Sequence, residues 1–359
     1  MKILSLIIPT YNMASLLPRC LDSLIAPETK DRLEVIVVND GSGDNSLEIA
    51  EEYASRHPGL IKVFDKPNGN YGSTINAVLP HISGDYVKIL DSDDWFDPAA
   101  LTRYLDELDG LPQKVDISVS HFRILHADGT RETIKYNVYG REPYEYGKIY
   151  DLDSVLADGY IRFFLMHFLA YRTEMLRSID YHQTEGISYT DIEWATFPLF
   201  HAQSIVFHDI ILYQYVLGRE GQTMDPKSIS RSLSHLEGMT KSLVRYYQKA
   251  DITKLSEARK AFLRQYYRNR MRILIKTHLM DIPREEFDRD RFSVLDAELQ
   301  DVRKQMGLEQ FRLYPANKII HIDVYRYWMR HRKRLPAWFE HINSMVDRVV
   351  TFLFVRLFH

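Results

Sequence analysis

The first 125 residues alternate short apolar runs with amphipathic segments, and this alternation constrains the fold more than any other feature. The runs are apolar throughout instead of at every second position, which is typical of parallel strands covered by helices on both faces. The predicted strands are Ile3–Ile8, Val35–Val38, Ile61–Phe64, Tyr86–Leu90 and Ile117–Phe122, and the helical patterns surround Ser15–Leu24, Ser46–Ser55 and Ser73–Ile82. The chain is therefore predicted to form an α/β fold with a Rossmann-like, mostly parallel sheet flanked by helices.

The remainder of the chain changes character twice. Residues from about 123 to 150 are polar and turn-rich, after which Phe163–Tyr171 and Ser204–Tyr215 look extended. Beyond residue 228, apolar side chains recur at helical spacing. At 359 residues the chain is long enough for two domains. We expect a sheet domain over residues 1–227 and a helical C-terminal region over 228–359.

Three predicted strands end in polar residues that can form one ligand site. The ends are Pro9–Asn12, Asn39–Ser42 and Asp91–Asp94, and doubly wound sheets bind ligands at the carboxyl ends of their strands. Asp91, Asp93 and Asp94 supply only oxygen ligands, which suit Mg²⁺ or Mn²⁺, and such an ion suits a substrate that carries phosphates. The alternative is a solvated acidic turn that caps the helix after Pro98.

Other candidate residues each have a structural alternative. Asp40 could accept a hydrogen bond from a pyrimidine N–H, although Asp-Gly dipeptides mark ordinary turns. Asp191 follows Thr190 at the start of a helical segment, where both residues could serve only as a cap and an acidic first turn. Arg219 could clamp a diphosphate with its guanidinium or be a solvated loop charge. His208 could give an imidazole to the metal or be structural.

Taken in order, several motifs resemble the inverting family 2 glycosyltransferases. The resemblance is specific over residues 3–98 and looser to about 225, and it implies the GT-A nucleotide-diphosphosugar fold, with residues 1–98 as the nucleotide-binding half and 99–227 as the acceptor half. The motifs are Pro9-Thr10-Tyr11-Asn12, Val38-Asn39-Asp40-Gly41-Ser42, Asn68-Gly69 with Gly72 and Asn76, Gly84-Asp85-Tyr86, and Leu90-Asp91-Ser92-Asp93-Asp94.

The resemblance also implies roles for individual residues. The residues implied to bind the donor nucleotide are Pro9, Tyr11, Asn12, Asp40, Asn68, Gly72, Asp91, Ser92, Arg219 and Thr223. Asp91 and Asp93 match the DxD motif, whose last aspartate is normally the direct metal ligand. Asp191 matches the catalytic base. Two positions depart from the family: Thr190 replaces an acid before the base, and Ile75 replaces an arginine before Asn76.

These observations predict a metal-dependent inverting glycosyltransferase. We expect it to use Mn²⁺ or Mg²⁺ and a nucleotide-diphosphate sugar, with a preference for uridine, and to act on a glycan, lipid-linked or cell-envelope polysaccharide acceptor. A non-catalytic sugar-nucleotide-binding or scaffold protein of the same fold is one alternative. A sugar nucleotidyltransferase is another, although the glycine- and lysine-rich activating loop typical of that class is missing.

Charge and cysteine content limit the partners and the compartment. The single cysteine, Cys20, excludes an internal disulfide and fits a reducing, cytoplasmic location. Residues 311–359 hold nine Lys/Arg and three Asp/Glu, interleaved with Tyr325, Tyr327, Trp328 and Trp338. This tail could dock on an anionic membrane face, or its helices could pack on the chain itself or on a second subunit. The acidic remainder argues against nucleic acid, and no apolar run is long enough to span a bilayer.

Overall fold

The computed structural model of the protein describes residues 2–136, 141–218, 229–308 and 324–338, with the side chains of 229–231 left aside. Arg219, Thr223 and the apolar tail end at 349–358 lie outside the described residues. The chain divides into two compact units, one of residues 1–222 with 250–263 and the other of residues 223–249 with 264–359. The halves 1–98 and 99–227, and the boundary at 227, stay predictions.

Among the described residues, a ten-stranded sheet forms the core of the first unit. Its strands are β1 Leu4–Thr10, β2 Leu33–Asp40, β3 Ile61–Lys66, β4 Tyr86–Ile89, β5 Trp95–Phe96, β6 Ile117–His126, β7 Arg131–Ile134, β8 Ile149–Asp151, β9 Leu169–Arg172 and β10 Ser204–Leu217. They lie in the order β3-β2-β1-β4-β9-β6-β10-β5, with β7 added to β6 and β8 to β10. The first four strands are mutually parallel, and β9 is antiparallel to both of its neighbours.

Helices flank the sheet, and its central strands are buried because these helices cover them. Every residue of β1, β2 and β4 is buried, as predicted for strands covered on both faces. The helices of this unit are α1 Leu17–Asp22, α2 Ser46–Arg56, α3 Asn70–Val78, α4 Pro98–Asp109, α5 Leu152–Ala157, α6 Thr173–Ser178 and α7 Asp191–Trp194. The predicted α/β class, with a mostly parallel sheet and helices toward the C-terminus, is confirmed.

Local signals explain where elements begin and where the prediction differs. Asp97 caps α4 by accepting a hydrogen bond from the Ala100 N–H, and Pro98 occupies the first turn, where its missing N–H costs nothing. The predicted extended run at 163–171 is a strand only from Leu169, because a 3₁₀ turn at Met166–Phe168 precedes it. This turn brings a histidine toward the acidic residues described below.

The second unit is helical. It contains α8 Ile229–Lys249, most of α9 Glu257–Lys276, α10 Arg289–Gln305 and α11 Val324–His331. The fully buried Asp296 of α10 accepts hydrogen bonds from the Tyr325 hydroxyl at 2.6 Å and from the Trp328 indole N–H at 3.0 Å. These two tail aromatics therefore pack inside the helical unit. A membrane or subunit contact stays a prediction for the remainder of the tail.

Candidate active site

The three polar strand ends lie side by side. Strand β1 pairs in parallel with β2 on one side and with β4 on the other. Because parallel neighbours end at the same edge of the sheet, Pro9–Asn12, Asp40 and Asp91 are carried to one cleft edge. The edge that the alternation pattern predicted is therefore formed by adjacent strands.

Asp40 is nearly buried and is held by the loop that follows β3. Its Oδ1 accepts hydrogen bonds from Lys66 Nζ at 2.7 Å and from the Gly69 N–H at 3.0 Å. The Asn68 amide donates to the main-chain carbonyl of Asp40 at 2.9 Å. Asn68 thus fixes the turn beside Asp40. Lys66, which sequence reasoning missed, supplies the countercharge that lets a carboxylate stay at this buried position.

The loop after β1 is tied to the loop after β2 through Asn12. Its backbone has a φ of 54°, and its Oδ1 accepts a hydrogen bond from the Gly43 N–H at 2.7 Å. The Asn12 N–H donates to Ser42 Oγ at 3.0 Å. Pro9 is buried within β1, whereas half of the Tyr11 side chain is exposed (50%). The loop is therefore rigid at Asn12 and presents an open aromatic ring at Tyr11.

The acidic turn after β4 is anchored by two tyrosine hydroxyls. The Tyr71 hydroxyl donates to Asp91 Oδ1 at 2.7 Å. The Tyr213 hydroxyl accepts from the Asp91 N–H at 3.1 Å and donates to Asp94 Oδ2 at 2.9 Å. Asp94 Oδ1 also accepts from the Val216 N–H at 2.9 Å. Asp94 therefore ties the turn to β10, a role that its place in the acidic run did not reveal.

Burial dominates the electrostatics of this turn. It raises the pKa of Asp91 to about 6, an effect to which the charge of Asp191 adds and which the Tyr71 hydrogen bond opposes. Burial, with the charge of Asp91, likewise raises the pKa of Asp94 well above its usual range. Two carboxyls that resist ionisation at one place are suited to a site completed by a cation.

The main chain of the turn is held by an arginine. Arg19 Nη2 donates to the Asp93 carbonyl oxygen at 2.8 Å, and its guanidinium lies 4.0 Å from the centre of the Trp95 ring. Ser92 is buried between these anchors. Sequence reasoning missed Arg19, because it lies in α1, 74 residues before Asp93.

Asp191, the first residue of α7, acts electrostatically on the acidic turn. Burial is the main cause of the raised pKa of Asp91 and of Tyr71, and the charge of Asp191 adds to it in both. Tyr189, two residues before Asp191, has a φ of 70°, a conformation that non-glycine residues rarely adopt. The charge of Asp191 therefore acts on Asp91, although the two residues are 100 positions apart in sequence.

The loop before α7 packs directly on α3. Asn76 accepts from the Gln183 N–H and donates to the Gln183 carbonyl, both at 2.8 Å. A Cβ at Gly72 would lie 2.3 Å from the Thr184 carbonyl oxygen, so only glycine fits here without displacing the loop. The buried Glu193 accepts from the Thr184 N–H at 2.7 Å. Gly72 thus serves this packing, and a donor contact by Gly72 stays a prediction.

The two residues that depart from the family pattern, Ile75 and Thr190, are both buried. Ile75 is fully buried in α3, so no cation stands at that position. Thr190 is also fully buried, and its hydroxyl has no hydrogen-bond partner among the described residues.

The structure does not bring His208 to the carboxylates. Its Nδ1 is 2.7 Å from Oε2 of Glu107 in α4, and its ring packs edge-on against Tyr104 at 5.2 Å. The histidine that does approach them is His167. Single ligand atoms of Asp91, Asp94 and His167 lie within 4.8 Å of one another. Sequence reasoning missed His167, because the 3₁₀ turn that places it was predicted as a strand.

Comparisons with known proteins agree with this architecture. A family model described as glycosyl transferase family 2 matches residues 5–179. A crystal structure of S. aureus TarS residues 1–349 superposes with a TM-score of 0.61 and 23% identity, covering 86% of this chain and 83% of that one. The same protein in complex with UDP-GlcNAc gives a TM-score of 0.53 at 21% identity, over 86% of this chain and 91% of that one. At these identities the likeness shows the fold.

Curated relatives match over shorter stretches. An uncharacterized glycosyltransferase, the MG025 homolog of Mycoplasma pneumoniae, is 43% identical over 95 residues, or 26% of this chain and 31% of that protein. The chondroitin synthase of Pasteurella multocida is 39% identical over 105 residues, or 29% of this chain and 11% of that protein. The matched segments thus span less than a third of either relative. No helix within the described ranges is long and apolar enough to cross a bilayer.

Proposed function

We propose that the chain transfers a sugar from a nucleotide-diphosphate sugar to an acceptor hydroxyl, with inversion and with help from a divalent cation. The match to the glycosyl transferase family 2 model over residues 5–179, together with the GT-A fold, supports this proposal. The acceptor class proposed is a glycan, a lipid-linked sugar or a cell-envelope polysaccharide precursor. The observation that carries the proposal is that Asp40 and Asp91 lie at the ends of the two parallel strands that flank β1, at one edge of the sheet, where the charge of Asp191 also acts on the Asp91 carboxyl.

The proposed donor is a UDP-sugar. All the hydrogen bonds that the described residues make to the Asp40 carboxylate reach Oδ1, so Oδ2 can accept the ring N–H of a uracil. The exposed ring of Tyr11 lies in the neighbouring loop and offers a stacking surface. TarS has been crystallised with UDP-GlcNAc and UDP, which supports the same donor class for this chain.

The residues around Asp91 fit a divalent cation. Asp91 and Asp94 offer carboxylate oxygens and His167 offers an imidazole nitrogen within 4.8 Å of one another, and Asp93 follows Asp91 in the same turn. Bound there, Mn²⁺ or Mg²⁺ would neutralise charge on the leaving diphosphate. Arg19 and Tyr71 hold the main chain and the first carboxylate of the turn, so the ligands are positioned before the donor arrives.

Asp191 is the proposed general base. Its carboxylate would accept the proton of the acceptor hydroxyl as that oxygen attacks the anomeric carbon, a contribution of roughly 10²–10⁴-fold in rate. Attack from the side opposite the diphosphate inverts the anomeric centre. Asn76, Gly72 and Glu193 position the loop and helix that carry this base.

A panel of UDP-sugars with Mn²⁺ and oligosaccharide acceptors tests the proposal, with acceptor-dependent UDP release as the readout. We expect Asp191→Asn to lose transfer by roughly 10²-fold or more while UDP still raises its melting temperature. The control Asp109→Asn, at the exposed end of α4, should behave as wild type. Near-normal transfer by Asp191→Asn would contradict the base assignment. UDP binding without transfer from any donor by the wild type would favour a non-catalytic binding protein.

A further inference from the structure

We infer that the helical unit carries a surface that binds the anionic headgroups of a lipid bilayer. This basic surface is formed by the exposed faces of α9 and α11, with Arg268, Ile273 and Lys276 in α9, Met329 and Arg330 in α11, and Lys333 just beyond α11. The inference goes beyond the proposed function, because it concerns where the protein is held and not what it transfers.

The part of α9 that belongs to the helical unit carries positive charge only. It begins at Arg264, and residues 264–276 include five Lys/Arg and no Asp/Glu. Four of these cations recur at every fourth position, Arg264, Arg268, Arg272 and Lys276, and so form one row along the helix. Because like charges at this spacing destabilise a helix, the row favours a negatively charged partner.

An exposed apolar side chain lies among the cations of α9. Ile273 is 44% exposed, and it stands next to Arg272 and three positions before Lys276. The opposite face of the helix packs inward through Tyr267 and Leu274, which are buried. The outer face of α9 therefore offers both positive charge and an apolar side chain to a partner.

Helix α11 repeats this arrangement. Residues 324–338 include five Lys/Arg and no Asp/Glu, and the buried face of the helix is held by Asp296, as described above. On the outer face Met329 is 46% exposed. It lies beside Arg330, with Lys333 four positions later, and both of these cations are exposed.

The two basic faces are joined at the ends of their helices. Arg334 donates from Nη1 to the Ile282 carbonyl at 2.9 Å, and Arg284 donates from Nη1 to the Leu335 carbonyl at 2.7 Å. These contacts fix the end of α11 against the segment that follows α9. The last cations of both helices therefore lie in neighbouring segments of one unit.

The joint also contains carboxylates, but they are outnumbered. Residues 277–287 hold Asp281, Glu285 and Glu286, and Asp281 pairs with Lys276 at 2.9 Å. The two basic segments together hold ten Lys/Arg against these three carboxylates. The charge that remains is strongly positive, which complements an anionic surface.

The mixture of cations and apolar side chains favours a bilayer over a soluble polyanion. Lys and Arg gain free energy near anionic headgroups, and apolar side chains between them can enter the headgroup region. A soluble phosphate polymer offers charge alone and would leave Ile273 and Met329 in water. Anionic phospholipid headgroups are therefore the partner that this surface fits.

Sedimentation of the full-length protein with vesicles tests the inference. Wild type should bind phosphatidylglycerol vesicles, dissociate from them as salt is raised, and bind phosphatidylcholine vesicles roughly tenfold more weakly or less. Arg330→Gln with Lys333→Gln should weaken binding roughly 25-fold, since each Lys or Arg near an anionic surface contributes about fivefold. Ile273→Ser with Met329→Ser should weaken it about fivefold or more. The control Lys30→Gln, an exposed cation of the sheet unit, should bind as wild type.

Wild type that stays in the supernatant with phosphatidylglycerol vesicles would overturn the inference, and this result needs no variant to fold. Unchanged binding by either double variant would overturn it too, and for Ile273→Ser with Met329→Ser it would point to a soluble polyanion, with inorganic polyphosphate as the probe. Both variants keep residues 339–359, so lost binding locates the contact on the basic surface. No donor or acceptor is present, so the result is independent of sugar transfer.

Discussion

Replacing Asp91 with asparagine should stabilise the metal-free protein at neutral pH. The partly buried carboxyl lies in the same turn as Asp94, and burial, with the charge of Asp191, raises its pKa from 3.8 to about 6. Asparagine keeps the shape and an oxygen that can accept the Tyr71 hydroxyl, which lies 2.7 Å from Asp91 Oδ1. The substitution therefore removes a buried charge while retaining the hydrogen bond that supports it.

The expected magnitude follows from the two pKa values. The folded chain holds the Asp91 proton more tightly than the unfolded chain does, so the free energy of unfolding falls as pH rises from about 4 through 6. The difference between 3.8 and about 6 corresponds to about 3 kcal/mol at pH 7 or above. For a domain of this size that is a rise in melting temperature of roughly 5–10 °C for Asp91→Asn.

Thermal unfolding in chelator, at pH 4 and at pH 7.5, measures this effect. Asp91→Asn should melt above wild type at pH 7.5 and close to it at pH 4. The exposed-site control Asp109→Asn should track wild type at both. Added Mn²⁺ should stabilise wild type and leave Asp91→Asn nearly unchanged, because the ion binds only the folded wild-type site. A variant that melts at or below wild type in chelator at pH 7.5 would refute the electrostatic reasoning.

Two further substitutions probe how the site is positioned. Gly72→Ala puts a Cβ 2.3 Å from a carbonyl oxygen of the loop that precedes the base, so steady-state kinetics should show kcat reduced roughly 10–100-fold, with donor KM changed less. The control is Gly43→Ala, whose Cβ would have its nearest neighbour 3.9 Å away. Equal kinetics for the two variants would contradict the positioning role of Gly72. Tyr71→Phe removes the hydrogen bond that lowers the pKa of Asp91, so the acidic limb of the pH–rate profile should move to higher pH; an unmoved limb would show that Asp91 ionisation does not govern activity.

The fold and the edge that carries the site could be predicted because they follow from local pattern. Apolar runs such as Ile3–Ile8 and Val35–Val38 dictate buried parallel strands, and the polar residues that end them must share an edge. The electrostatic coupling of Asp191 to Asp91 could be anticipated only through the family resemblance, since nothing in the 99 intervening residues fixes it by spacing alone.

The supporting contacts could not be predicted, because they join residues far apart in sequence through side-chain packing. Lys66 beside Asp40 and Arg19 on the acidic turn look like ordinary surface charges until the strands are assembled. For the same reason, the sequence pointed to His208 as the candidate metal ligand, whereas the structure places His167 near the carboxylates. A 3₁₀ turn, which apolar periodicity does not reveal, decides which histidine meets the carboxylates.

A crystal structure with UDP and Mn²⁺ tests the central claim most directly. The account predicts that the uracil lies at Asp40 and the diphosphate with the ion at Asp91, and that the Asp191 carboxylate faces the space beyond the β-phosphate where the sugar and acceptor meet. UDP bound away from the acidic turn, or an Asp191 side chain with no access to that space, would contradict it.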